Sequence, residues 1–166
     1  PFERLIRLIE QLALIRLHLA AACKPGFNKK SALSIESVAA ATDRVLERIR
    51  LEGYAEMEIE ALILQALARD RSGRRDSALE ALKEALGMAE PEGYFRVFAN
   101  EGRGLQGLLE KCRDDGYFLD YADSILEAIA AECGNETAGA DAVQEAQTDL
   151  LEPLSSREND VLKLIA

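Results

Sequence analysis

Leu5, Leu8, Ile9, Leu12, Ile15 and Leu19 recur three or four positions apart, a spacing that lays one apolar stripe along a helix over about 2–23. Ile6, Ala13 and Leu17 widen the stripe beyond half the circumference, which predicts a helix covered from two sides. "KPGFNKK" at 24–30 breaks it with Pro and Gly. A second stripe through Val38, Ala41, Val45, Leu46 and Ile49 predicts a helix over 35–50, ended by the loop "LEGY" near Gly53. "EMEIEALILQALARDRSGRRDSALEALKEALGMAEPEG" reads as two helices joined at Ser72 and Gly73. In the second of these, Ala78, Leu82, Ala85 and Leu86 share one side, while Asp76, Glu80, Lys83 and Glu84 lie towards the other; such a helix packs on one face. A short helix over 103–113 follows, then one over 117–133 with the stripe Phe118, Ala122, Ile125, Leu126 and Ile129. "GNETAGADAVQEAQ" has no sustained stripe and the composition of a linker. Beyond it, Ser155 and Glu158 form a capping box, and Val161, Leu162 and Ile165 begin another apolar face.

The helix pair on either side of Gly73 fits the two-helix tetratricopeptide template, a repeat of about 34 residues. Ala66 is the small residue where the helices come closest, Gly73 is the turn, and Ala78, Leu82 and Ala85 are the second-helix contacts. Arg69 stands where the template places an aromatic ring. One repeat cannot bury its own apolar faces, so the first two helices read as a preceding repeat. The expected fold is all-α, a tetratricopeptide-like superhelix of antiparallel helix pairs over 1–133. A linker over 134–153 and the start of a further helical domain over 154–166 complete the expected organisation.

Composition narrows the function. The 166 residues are 48% hydrophobic and 30% charged, with 5% aromatics and no Trp, which suits packed helices. Thirty acidic against 20 basic residues give a formal charge of -10, which repels nucleic-acid phosphates. Cys23, Cys112 and Cys133 are odd in number and far apart, so neither a disulfide framework nor a metal knuckle is expected, and reduced cytoplasm is the simpler home. Glu3, Arg4, Arg7, Glu10 and Arg16 interrupt the opening apolar run, which excludes a membrane span there and is unlike a signal peptide.

Enzyme chemistry finds no footing. His18 is the single histidine, placed towards the polar flank of the first helix, and reads as an ordinary surface or half-buried side chain. Gly102, Gly104 and Gly107 have no strand before them and no Lys-Ser/Thr after them, unlike a phosphate loop. Asp114, Asp115, Asp120 and Asp123 fit no calcium loop. No catalytic residue, metal ligand or cofactor is expected in the chain. "PEGYFRVFANEG" is different, because Tyr94, Phe95 and Phe98 gather beside Arg96 in a turn-flanked segment. Two roles are open to it. The aromatics can plug the last groove of the stack with Arg96 paired to Glu92 or Glu101; alternatively Tyr94, Arg96 and Phe98 are candidates to meet a ligand or partner on the concave repeat surface.

Two motifs carry a resemblance. "LSSRENDVLKLIA" is similar to the opening of the LuxR-type helix-turn-helix, with Leu154, Ser155, Arg157, Glu158, Val161, Leu162, Leu164, Ile165 and Ala166 matching and Asp160 in place of the second Glu. Pro91, Glu92, Gly93, Tyr94, Arg96 and Phe98 resemble the end of the helical-repeat region of large MalT-like LuxR regulators. Ala99 and Asn100 stand where Leu and Asp are common. The resemblance implies an ATP-binding domain upstream of the repeats in a full-length parent, an inducer or protein partner received by the repeats, self-association, and DNA contact through the parent alone. It also implies that 154–166 is the truncated start of the DNA reader, so that this chain has no DNA-binding residues of its own.

Overall fold

The computed structural model describes residues 2–22 and 34–131. The 24–30 break, Cys23, Cys133, the 134–153 linker and the 154–166 motif lie outside the described residues. The compact unit Pro1–Ile129 contains helices α1 (Phe2–Ala22), α2 (Ile35–Glu52), α3 (Ala55–Arg71) and α4 (Arg75–Ala89). After them come a 3-10 turn at Glu90–Glu92, the single-turn helix α5 (Arg96–Ala99) and α6 (Arg103–Asp114). A seventh helix, α7, is seen over 119–131.

Local chemistry sets the helix ends. Ser34 caps α2 by accepting a hydrogen bond from the Ser37 amide at 3.2 Å, satisfying one of the donors orphaned at a helix start. At the other end Gly53 takes the left-handed conformation, φ +76°, and its N–H donates to the Ile49 carbonyl at 3.0 Å. Gly73, φ +77°, makes the tight turn between α3 and α4.

The helices form antiparallel pairs in the tetratricopeptide-like arrangement, with α1 on α2 and α3 on α4, and α3 also packed against α2 and α1. Ala66, Ala78, Leu82 and Ala85 are all buried as the repeat template requires. The central helix is α3, in which every residue from Ala61 to Ala68 is buried. Among them Gln65 donates to the Asp43 Oδ1 of α2 at 2.6 Å. Arg69 takes the place of the template's aromatic ring by reaching the same oxygen at 3.2 Å and the Ser77 carbonyl of α4 at 3.3 Å. A planar guanidinium thus fills the interhelical space and ties three helices together.

Two expectations change. α1 buries Leu8, Leu12, Ile15 and Leu19, whereas Phe2, Ile6, Ile9 and Leu17 are exposed, Leu17 by 63%. Among the described residues one side of α1 is covered, not two: the buried positions form a single stripe, and α2 and α3 are its neighbours. Phe118 does not join the stripe of the last helix; it precedes α7 with φ +54°, and its ring lies 3.6 Å from where a Cβ on Gly87 would sit. A bulky residue in that conformation is uncommon, and contact with α4 holds it. No helix among the described residues is long and apolar enough to cross a membrane.

Gly53→Ala is expected to cost about 1 kcal/mol in denaturant unfolding, because a Cβ opposes the left-handed cap. Gly107 sits inside α6 with open space around it, so Gly107→Ala is expected to stabilise by about 0.5 to 1 kcal/mol. Asp43→Ala leaves Gln65 and Arg69 short of their shared acceptor and should cost about 1.5 kcal/mol; equal stability of variant and parent would remove the tether's structural role.

Candidate functional site

The chain leaves α4 through Pro91, turns at Gly93 with φ +70°, and returns to the helices. The Tyr94 N–H donates to the Ala89 carbonyl at 3.2 Å and the Phe98 N–H to the Phe95 carbonyl at 3.1 Å, so the turn is internally bonded. Its anchor is Phe98, 0% exposed and set edge-on to Tyr121 with ring centroids 6.2 Å apart, a favourable aromatic arrangement. The three candidates therefore separate. Phe98 is a packing residue with no surface to offer a ligand, while Tyr94 (40% exposed) and Arg96 stay outside.

Tyr94 and Arg96 line one open cavity of about 270 Å³, together with Glu56 and Ile59 of α3 and with Gly93, Phe95 and Val97 of the turn. Ile59 supplies a buried apolar floor, and the rings of Tyr94 and Phe95 are half-exposed at its edge. Sequence reasoning missed Glu56 and Ile59, which come from a helix some 35 residues earlier; their i, i+3 spacing at the start of α3 was the available signal.

Arg96 pairs with neither Glu92 nor Glu101 among the described residues. Glu101 is held instead by Arg16 of α1 at 2.8 Å, and the same guanidinium reaches Glu60 of α3 at 3.1 Å. That exchange leaves a guanidinium and the Glu56 carboxylate on a cavity with aromatic edges, a set able to bind a small polar molecule with a flat or apolar face. Nucleophilic chemistry has no support here. The Cys112 thiol is buried, with its pKa pushed up by burial, and among the described residues no group of three or more His, Cys, Asp or Glu could hold a metal.

Comparison with known families matches residues 3–115 to the model of the MalT-like TPR region. The chain belongs to that family. The MalT-like TPR region thus covers α1 through α6 and includes the cavity. Neither the curated proteins nor the solved structures returned a match.

The Tyr121 hydroxyl is buried and has no hydrogen-bond partner among the described residues. Burial first, then the nearby Glu90 carboxylate, pushes its pKa up to about 12 from 10.0. The folded state thus holds a proton that the unfolded chain has lost, so stability is present below pH 10 and falls as pH rises from about 10 to about 12. Tyr121→Phe should keep the Phe98 contact and flatten that alkaline loss in a pH series of melting curves. Arg96→Ala should shift Tm by less than about 1 °C, as expected of an exposed side chain that has no partner among the described residues.

Proposed function

We propose that this repeat domain is the effector-binding and signal-relay region of a LuxR-family, MalT-like transcription regulator of the cytoplasm. The observation that carries the reading is the cavity in which Tyr94 and Arg96 sit free of structural duty beside Glu56 and Ile59. Membership of the MalT-like TPR region supports it, as does the resemblance of 154–166 to the LuxR-type helix-turn-helix opening. A ligand in the cavity bridges α3 and the turn after α4. If it binds one arrangement of those elements more tightly than another, it shifts the population towards a parent that self-associates and engages DNA. ATP belongs in this proposal to a domain upstream of the repeats.

A second reading is a protein-interaction or self-association scaffold with no small-molecule inducer. It is favoured by the exposed seam of Phe2, Ile6, Ile9 and Leu17 along α1, since exposed apolar stripes mark surfaces that bind other proteins.

A thermal-shift screen against sugars, nucleotides, amino acids and small aromatic acids separates the two. The expected result is a saturable rise in Tm for one chemical class, lost in Tyr94→Ala and Arg96→Ala variants that melt like the parent. Silence across the panel, with a concentration-dependent mass in sedimentation, would favour the scaffold. With its charge of -10, the chain alone is expected to give no sequence-dependent mobility shift at low salt.

A further inference from the structure

We propose that a second cavity, between α1 and α2, binds a small amphipathic carboxylate, a monoanionic head on a medium-length acyl chain. The cavity measures about 330 Å³ and lies on elements separate from the Tyr94 and Arg96 turn. Its floor is Ile15, Val38 and Val45, all buried, and Leu14 and Ala41 continue the apolar wall. Leu14 is 55% exposed, so the wall stands open to water. From Gln11 to His18 the α1 side of the cavity spans seven residue steps, roughly 10 Å along the helix, a length suited to a medium acyl chain.

The two charged groups of the rim, Arg44 and Arg48, are both positive. Gln11, His18, Arg44 and Arg48 line it, and among the described residues no carboxylate does; Arg48 also borders the neighbouring cavity that holds Glu3 and Glu52, without an ion pair to either. Arg4, Arg16, Arg50, Arg69 and Arg113 each form an ion pair with Asp or Glu. Arg44 has no such pair among the described residues, and Arg48 donates only to the neutral Gln11 Oε1, at 3.1 Å. Two guanidinium groups beside an apolar floor leave a place for one carboxylate, which their planar forks can bind through paired N–H donors. The same floor disfavours strongly hydrated anions, since a phosphate buried there would lose water without apolar gain.

The test is isothermal titration of the 166-residue chain with octanoate, alongside octan-1-ol as the uncharged control and butyrate as the short one. One saturable site for octanoate is expected, with both controls weaker by about tenfold or more. The Arg44→Gln/Arg48→Gln double variant should lose about tenfold or more in octanoate affinity with unchanged circular dichroism, since both side chains are exposed. Ala41→Phe, which fills the cavity, should abolish binding, and Tyr94→Ala should leave it intact. Equal binding of octan-1-ol would overturn the proposal and mark an apolar groove for another helix. So would undiminished binding in the double variant, or no saturable heat with octanoate.

Discussion

Burial of the middle of α3 on every side is the constraint on which the rest of the molecule depends. Eight consecutive residues, Ala61 to Ala68, have no face left for water, so the helix is stable only when α1, α2 and α4 are all in place around it. Ala61, Ala66 and Ala68 let the neighbouring backbones approach closely, while the leucines and isoleucines between them fill the gaps. Burial on every side also means that each polar group of the helix needs a partner in a neighbour. Gln65 and the terminal nitrogens of Arg69 find theirs on α2 and α4, and Arg71 finds the Leu19 carbonyl on α1, while the buried Arg69 Nε has no partner among the described residues. The apolar contacts supply attraction without direction; those polar tethers choose one rotation and one register for each neighbour.

Guanidinium bridges repeat the same solution nearer the surface. Arg50 of α2 meets Glu58 of α3 and Glu84 of α4, and its pKa is raised chiefly by the hydrogen bond to Glu58. Arg16 joins α1 to α3 and to the segment before α6. These groups are partly in water, so each contributes little to stability. Their consequence is positional. Arg16 takes the carboxylate that Arg96 could have used, which ties the far side of the 93–101 segment to α1 and leaves Arg96 facing a cavity instead of closing a salt bridge.

Helix boundaries and the repeat were legible because they follow from periodicity and from residues with few alternatives. Gly53 and Gly73 mark turns because a residue without a Cβ adopts the left-handed backbone at little cost, and the small residues Ala66, Ala78 and Ala85 mark close approach in any packed helix pair. The turn at 93–100 was harder to read, since a helix of one turn, Arg96–Ala99, has no period from which to separate an inward ring from an outward one. Phe98 and Phe95 look alike in sequence, and only contact with Tyr121 decides between them. Glu56 and Ile59 share one face of α3 by spacing, but nothing in sequence ties that face to the turn: the fold brings α3 against it, and that proximity is a tertiary fact. The α1 stripe is as wide as its sequence says, yet half of it is exposed, because sequence gives the faces of a helix and not the number of its neighbours.

The two cavities differ in what an occupant could do to the fold. The groove between α1 and α2 lies within one helix pair, so a molecule there strengthens a contact the pair already makes and shifts little beyond it. The cavity at Tyr94 joins α3, the most constrained helix, to a turn held by Phe98, by Ala99 and by the Arg16 bridge to Glu101. Under the relay reading, a ligand that draws Arg96 and Glu56 together acts across the boundary between the second helix pair and the α5 and α6 segment. Only there does differential affinity change the relation of successive elements, which is the quantity a helical-repeat relay has to transmit.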